Sequence, residues 1–296
     1  QMPYMKQNYD ITAISSDEEQ LKRVGEKDGV KTFCVEMTRQ ITPLKDLKAL
    51  FKLYRFLRKE KPTFIHTHTP KAGTVGMIAA WLARVPLRLH TVAGLPLLEV
   101  SGNKRKLLNL VEKITYACAT HVYPNSFGLK AIIEKEKYCN PSKLRVIGNG
   151  SSNGISTSHF APSLFSEEQN KNLRTQLNID VNDFVFIFVG RLVGDKGINE
   201  LIEAFATISQ NCKNTKLLLV GPEEADLDPL LPHTIDEIHS NKQIISVGFQ
   251  KDVRPYLAIS DALVFPSYRE GFPNVVMQAG AMNLPSIVTN INGCNE

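Results

Sequence analysis

The sequence has no apolar run approaching the roughly 20 residues that a membrane-spanning helix needs, so it does not predict an integral membrane protein. It also lacks internal repeats and low-complexity segments, and its 43% hydrophobic and 22% charged residues are typical of a soluble globular protein. The five cysteines show no Cys-x-x-Cys spacing, which argues against a disulfide framework or a zinc site. We therefore expect reduced thiols in a cytoplasmic protein.

The charged residues are unevenly distributed along the chain. Residues 1–155 hold 25 Lys and Arg against 13 Asp and Glu, whereas residues 156–296 hold 10 against 17. A basic first half predicts an anionic surface or ligand for that half, and a solvated charged face is the alternative.

Strand-like and helix-like segments alternate along the second half. Apolar runs predict five strands, at 183–190, 215–221, 243–249, 262–267 and 285–289. Helical spacing predicts three helices, over 198–209, 252–260 and 273–282. This alternation is typical of a parallel sheet covered by helices on both faces.

The first half follows the same plan less clearly. Strands are predicted at 9–16, 29–37, 63–69, 87–94, 121–126 and 143–150, and helices over 44–60, 73–84 and 106–119. A segment rich in Gly, Asn and Ser, 148–158, marks a boundary. The sequence thus predicts an α/β fold of two tandem Rossmann-like domains, 1–155 and 156–296, facing across a cleft at the carboxyl ends of their strands. The sequence starts in a polar segment and ends just after a predicted strand. We therefore expect the first strand of the first domain and the C-terminal part of the second domain to be missing.

The strand-to-helix turn VGRLVGDKG, residues 189–197, carries three glycines and two cations. It is neither the G-x-G-x-x-G fingerprint of dinucleotide sites nor a P-loop. Arg191 and Lys196 beside a helix N-terminus would suit a diphosphate. The alternative is an ordinary turn with solvated charges.

A second such turn lies in SYREGFPNVVMQAGAM, residues 267–282. Glu270 falls at the ligand-binding end of the sheet, and Gly271 permits close approach of the backbone. The N–H groups of Asn274 and Val275 are free at the start of the helix. The helix end would bind a phosphate and the carboxylate a polyol. Alternatively, the acid only complements the helix dipole.

Together, Gly-Arg-x-x-x-x-Lys-Gly followed about 75 residues later by Arg-Glu-Gly-Phe-Pro-Asn resembles the retaining glycosyltransferases of family 4, which have the GT-B fold. The resemblance covers nearly the whole chain, and is closest to bacterial enzymes of capsule, O-antigen or exopolysaccharide assembly. It implies an acceptor-binding first domain and a nucleotide-sugar-binding second domain. Arg191 and Lys196 would hold the donor diphosphate and Glu270 the donor sugar, as catalytic residues together with His90. The implied donor-binding set is Gly190, Phe249, Gly271, Phe272, Asn274, Val275 and Gln278.

Two residues depart from the family pattern. Gln278 stands where the family has a second acid, which binds the nucleotide ribose. An amide loses the charge-assisted part of that bond, so we expect weaker nucleotide binding but retained chemistry. Pro273, in the first turn of the helix, replaces a common glycine and removes one backbone donor. The lone carboxylate also argues against a hydrolase, which normally needs two.

The other candidate residues for metal or ligand binding each have a structural alternative. His90 matches the family position that lines the donor-sugar pocket, and a structural histidine is the alternative. His66 and His68 alternate on a strand, which indicates a strand end more than a metal site. The acidic 226–228 segment reads as a surface loop. Phe249 could meet the nucleobase or pack in the core. The resemblance implies no metal and no cofactor.

Basic residues accompany apolar ones in two segments of the first half. The helix over 44–60 carries six cations around an apolar stripe, which core packing explains equally well. The segment 94–106 pairs exposed-looking leucines with Lys104, Arg105 and Lys106. Such elements suit an anionic membrane and a lipid-diphosphate-linked acceptor.

The sequence therefore predicts a metal-independent retaining glycosyltransferase, peripheral on the inner face of the cytoplasmic membrane. It would move a sugar from a nucleotide sugar, UDP-linked in preference to GDP-linked, to a lipid-linked or saccharide acceptor, without binding nucleic acid. One alternative is a protein that binds nucleotide sugars without turnover, which Gln278 favours. A NAD-dependent oxidoreductase is the other, and the failed glycine fingerprint counts against it.

Overall fold

A computed structural model describes residues 2–38, 42–95, 97, 100–224 and 228–296. The chain forms two compact units, Gln1–Asn153 and Gly154–Glu296. The sequence placed its boundary after residue 155. The acceptor and donor roles assigned to the two parts stay predictions.

The first unit is built from parallel strands and the helices that follow them. Its elements are α1 (Met2–Met5), β1 (Thr12–Ser15), α2 (Glu18–Asp28), β2 (Lys31–Cys34), α3 (Pro43–Glu60), β3 (Phe64–Thr67), α4 (Pro70–Leu82), β4 (Leu87–Val92), α5 (Gly102–Cys118), β5 (His121–Pro124) and α6 (Phe127–Lys135). Strands β1 and β2 pair in one parallel sheet, and β3, β4 and β5 form a second in that order.

Helices α3, α4 and α5 pack side by side, with α4 in the middle. Helix α3 buries Ala49, Leu53 and Leu57, which share one face at helical spacing. Helix α4 is apolar nearly all round, because it is covered by a helix on each side as well as by the sheet. The carboxyl ends of β2, β3 and β4 thus lead into three neighbouring helices.

Two expectations for the first unit are wrong. The leucines after β4 are not exposed: Leu95 and Leu97 are fully buried in the core, and Leu98 lies outside the described residues. Over the strand predicted at 143–150, only Leu144 bridges to β5. The chain then turns away, because Gly148, Gly150 and Ser151 all adopt positive φ.

The second unit confirms the predicted alternation of strands and helices. Its elements are α7 (Glu167–Gln176), β6 (Phe184–Val189), α8 (Ile198–Asn211), β7 (Thr215–Val220), α9 (Pro232–Ser240), β8 (Ile244–Ser246), α10 (Arg254–Ala258), β9 (Ala262–Phe265), α11 (Asn274–Ala281) and β10 (Ser286–Val288). All five strands are parallel, in the order β10-β9-β6-β7-β8.

This strand order places a candidate site. The chain starts at the central strand β6, proceeds outward through β7 to β8, and returns to β9 on the other side of β6. Ligands of open parallel sheets bind where the order reverses, beyond the carboxyl ends of the strands. Here that point lies between β6 and β9, where the two turns singled out in the sequence begin.

Candidate active site

The turns after β6 and β9 are in direct contact. The first ends in a short 3-10 turn, Gly194–Lys196, followed by Gly197 with a φ of +71°. A Cβ on Gly197 would lie 2.2 Å from the carbonyl oxygen of Pro266, so this close approach requires glycine. The backbone N–H of Tyr268 donates to the carbonyl oxygen of Asp195 at 3.0 Å. The backbone itself therefore fixes the distance between the two turns.

Across this contact, the predicted diphosphate-binding lysine meets the predicted sugar-binding acid. Lys196 Nζ lies 2.5 Å from Glu270 Oε1, and the two side chains are only 17% and 14% exposed. Lys196 Nζ also lies 3.5 Å from Ser267 Oγ and 5.9 Å from the centre of the Phe265 ring. In such partly desolvated surroundings, both charges act on a neighbouring ligand more strongly than they would at the surface.

The residues that directly precede Lys196 and Glu270 form a second ion pair between the turns, with the charges reversed. Arg269 Nη2 lies 3.2 Å from Asp195 Oδ2, with both side chains mostly buried. The first turn thus contributes an acid and then a base, and the second turn a base and then an acid.

Acidic residues after β7 contact the first turn. Arg191 Nη1 donates to Glu224 Oε2 at 2.7 Å, and this carboxylate raises the pKa of the guanidinium further above its usual range. Asp228 Oδ2 accepts from the backbone N–H of Asp195 at 2.5 Å. Asp228 is therefore half-buried against the turn and not part of a free surface loop, whereas Asp226 and Leu227 lie outside the described residues. A diphosphate would compete with Glu224 for Arg191.

A third turn, after β10, supports the second one. Thr289 Oγ1 donates to the carbonyl oxygen of Ser267, and Asn292 Nδ2 to that of Glu270, each at 2.5 Å. Gly293 has a φ of +78°, and a Cβ there would lie 2.0 Å from the carbonyl oxygen of Gly271. Sequence reasoning assigned these residues no role, although the run TNING after the last strand was a visible turn signal.

Helix α11 starts one residue later than predicted. Pro273 is its N-cap, and the first helical residue is Asn274. Within the described chain no side chain caps this end, so the N–H groups of Asn274 and Val275 remain available at the positive end of the helix dipole. Gln278 is half-buried about one turn further on, and Phe272 is half-buried just before the helix.

Two other residues of the predicted set flank the site. Gly190 follows β6 directly, and its N–H donates to the carbonyl oxygen of Val220 at 3.0 Å. Phe249 follows β8 and is 72% exposed, which rules out core packing for its side chain. Contact of Phe249 with a nucleobase stays a prediction.

Cys294 is a buried thiol near the Lys196–Glu270 pair. Burial, and then the charge of Glu270, raise the pKa of Cys294 to about 12. The thiol therefore keeps its proton at pH 7, and Cys294 is not suited to act as a nucleophile.

Three histidines of the first unit, His66, His68 and His90, lie near one another, and only His90 is buried. His90 is 3% exposed, and its Nδ1 lies 2.8 Å from Thr67 Oγ1. Burial and the neighbouring His66 lower the pKa of His90 to about 4. Burial and His68 lower that of His66 to about 4 as well, so both rings are neutral at pH 7. This placement matches the structural alternative for His90, whose donor-site role stays a prediction. No group of three or more metal-binding side chains occurs in the described part of the chain.

The three cations predicted to meet an acceptor differ in their surroundings. Lys104 and Lys106, on α5, are exposed. Arg105 is instead engaged within the unit: its Nη1 donates to the carbonyl oxygen of Leu97 and its Nε to Asn109 Oδ1 at 3.0 Å. Arg105 therefore anchors Leu97, whereas contact of Lys104, Arg105 and Lys106 with an acceptor or a membrane stays a prediction.

This anchoring role predicts a stability difference between neighbouring cations. Arg105→Ser should lower the free energy of unfolding by about 2 kcal/mol, because it removes charge-assisted bonds and leaves the carbonyl group of Leu97 without that donor. Lys104→Ser should change it by less than about 0.5 kcal/mol, as is usual for a surface residue. Urea denaturation of both variants measures the difference. Equal stabilities would contradict the anchoring role.

Two family models match the chain. The one described as Glycosyl transferase 4-like domain matches residues 4–150, and the one described as Glycosyl transferases group 1 matches residues 169–296.

Curated relatives and solved structures are similar over most of the chain. The capsular polysaccharide biosynthesis glycosyltransferase CapM of Staphylococcus aureus is 37% identical over 294 residues, which cover 97% of this chain and 73% of CapM. The UDP-Gal:alpha-D-GlcNAc-diphosphoundecaprenol alpha-1,3-galactosyltransferase of Escherichia coli is 35% identical over 275 residues, which cover 90% of this chain and 68% of that enzyme. Anabaena HepE, solved with UDP and glucose, has a TM-score of 0.77 at 19% identity, covering 99% of this chain and 76% of HepE. The structural likeness confirms the predicted α/β fold of the GT-B type.

Proposed function

Because this chain belongs to the glycosyltransferase family that joins a 4-like domain to a group 1 domain, we propose that it is a retaining enzyme that transfers a sugar from a UDP-sugar to a lipid-diphosphate-linked saccharide. The observation that carries the proposal is the contact of Lys196 with Glu270 at the reversal point of the sheet. The Escherichia coli relative is named for UDP-Gal and a diphosphoundecaprenol acceptor, and HepE was solved with UDP. The name of the Escherichia coli relative supports this donor and this acceptor class, and the HepE complex supports the UDP part of the donor.

The geometry suggests how the donor is held. Lys196, Arg191 and the N–H groups at the start of α11 offer positive charge and hydrogen-bond donors to a diphosphate. Glu270 accepts hydrogen bonds from hydroxyl groups of the transferred sugar. Gln278 contacts the ribose as a neutral amide, so its contribution is weaker than that of a carboxylate.

The chemistry follows from stabilising the leaving group. The bond between the anomeric carbon and the diphosphate oxygen breaks, and Lys196 and Arg191 stabilise the negative charge that develops on the diphosphate. The acceptor hydroxyl oxygen bonds to the same face of the anomeric carbon, and its proton passes to an oxygen of the departing diphosphate. We propose that the two side-chain cations and the helix end perform this role without a metal ion.

An exposed apolar row on α3 supports a peripheral membrane location. Leu44, Leu47 and Phe51 are 79%, 63% and 56% exposed, on the side of the helix opposite its buried row. Lys48 and Arg55 lie beside this row. Helix α5 carries a second exposed row, formed by Leu107, Leu110 and Ile114. The apolar stripe of the helix predicted over 44–60 therefore consists of two rows, one in the core and one facing solvent.

We propose that these two rows enter the interface of an anionic bilayer, with the neighbouring cations at the headgroups. None of the described helices combines the length and the apolar character that crossing a bilayer requires. Leu95 and Leu97 of the predicted 94–106 segment cannot serve here, since both are buried.

Removal of two apolar side chains tests this membrane face. The double variant L47S/F51S should bind vesicles containing anionic lipid at least about tenfold more weakly, because each inserted side chain contributes on the order of 1 kcal/mol or more. Leu164→Ser removes a similarly exposed leucine from the second unit and should leave binding unchanged. Vesicle co-sedimentation measures both. Equal binding by wild type and double variant would reject this face.

The proposed activity is tested by incubating the protein with a panel of UDP-sugars and GDP-sugars. UDP release should require both one particular UDP-sugar and a lipid-diphosphate-linked saccharide, and should persist in EDTA. NMR of the product should show retained anomeric configuration. UDP binding without release in any combination would favour the alternative of a binding protein without turnover. Release that requires a divalent metal would reject metal independence.

A further inference from the structure

The two ion pairs between the turns have unequal tasks. Lys196 and Glu270 carry the proposed contacts to diphosphate and sugar, whereas Asp195 and Arg269 have no assigned role. Asp195 nevertheless precedes Lys196 directly in the sequence, and its negative charge contributes, after that of Glu224, to the raised pKa of Arg191, the other cation proposed to hold the diphosphate. An unbalanced carboxylate at this position would oppose donor binding.

Asp195 is held firmly in place by the backbone. Its carbonyl oxygen accepts from the N–H of Tyr268 at 3.0 Å and from Ser267 Oγ at 3.4 Å, and its N–H donates to Asp228. These bonds fix the backbone of Asp195 beside the second turn, and Arg269 pairs with its carboxylate.

Arg269 supplies the charge that balances this carboxylate. Its Nη2 lies 3.2 Å from Asp195 Oδ2, whereas the other oxygen, Oδ1, is buried and makes no hydrogen bond to any residue that the structure describes. Without Arg269, Asp195 would become a second acid near Lys196, beside Glu270. Asp228, which follows β7 and accepts from the N–H of Asp195, would add a further negative charge beside that carboxylate.

We propose that Arg269 is a positioning residue that neutralises Asp195, so that the charge of Lys196 remains available to the donor diphosphate. This inference rests on the proposed donor site. It assigns the crossed order of charges a purpose, because Lys196 and Arg269 each have their own carboxylate. Charge, more than the shape of the arginine, is what the donor requires at position 269.

Binding of UDP, measured by calorimetry, tests the proposal with a rescue experiment. Arg269→Gln should weaken UDP binding about tenfold, because it exposes the diphosphate to the Asp195 charge. The double variant D195N/R269Q removes both charges and should bind within about threefold of wild type, since the two effects are coupled. Arg269→Lys keeps the charge and should also bind nearly as well as wild type. In turnover, Arg269→Gln should raise KM for the UDP-sugar more than it lowers kcat.

Arg254→Gln is the matched control, because Arg254 pairs with Asp252 at 2.6 Å elsewhere in the same unit, and it should leave UDP binding unchanged. A double variant as weak as Arg269→Gln, or an Arg269→Lys variant equally weak, would show a purely structural role and overturn the inference. Unchanged binding by Arg269→Gln would overturn it too. If the wild type turns over a UDP-sugar but the variants show one of these contradicting results, only this inference fails. If the wild type neither binds UDP nor turns over a UDP-sugar, the proposed function fails as well.

Discussion

Lys196→Ala should lower kcat/KM for the UDP-sugar by about 10²–10³-fold, the usual effect of removing one preorganised group that stabilises developing charge. The variant should also be less stable by about 3 kcal/mol, because Glu270 would remain 14% exposed without its cation. Steady-state UDP release and urea denaturation measure the two effects separately. Activity is compared per folded molecule, so that lost stability does not count as lost catalysis.

The second unit offers a matched control for this variant. Lys216, on β7, is 16% exposed and lies 3.9 Å from the buried carboxylate of Asp183. Lys216→Ala should lose stability, yet keep kcat/KM within about twofold of wild type, because the pair lies outside the proposed site. A Lys196→Ala variant with wild-type kcat/KM would mean that the leaving diphosphate is stabilised by other groups.

The sequence predicted the strands of the second unit and the place of its candidate site. Its five apolar runs are bounded by turn residues, and parallel strands bring their carboxyl ends to one edge. The turns that carry Lys196 and Glu270 follow neighbouring strands, so their contact was a consequence of the strand order. The sequence shows Asp195 next to Lys196 and Arg269 next to Glu270, so each turn carries neighbouring residues of opposite charge. It does not show that Asp195 and Arg269 pair across the two turns.

Contacts made by irregular segments could not be predicted in this way. The loops that bring Glu224 to Arg191 and Leu97 into the core have no period that indicates which residues turn inward. Helix α7 was missed because it buries no residue fully, although the capping box at Ser166 marked its start. On α3, spacing indicated an amphipathic helix with an apolar stripe, and packing against α4 shows which row of that stripe is core.

Glu270→Gln should separate sugar recognition from binding of the diphosphate. The amide keeps the size of the side chain but loses the charge that binds both Lys196 and the sugar hydroxyls. We expect kcat/KM for the UDP-sugar to fall about 10²-fold, in the range found for charged groups that contact the reacting sugar. UDP alone should bind as tightly as to wild type or more tightly, because no carboxylate then competes for Lys196.

Calorimetric titration with UDP and with the UDP-sugar distinguishes this from a structural effect, and Glu203→Gln, an exposed acid on α8, serves as control. Wild type should discriminate between the two ligands, whereas Glu270→Gln should bind them nearly equally. If UDP affinity instead fell as far as in Lys196→Ala, the carboxylate would act only by holding the lysine in place. The UDP affinity expected to be retained in Glu270→Gln follows from one geometric fact: Lys196 and Glu270 lie 2.5 Å apart and must release each other to bind different parts of the same ligand.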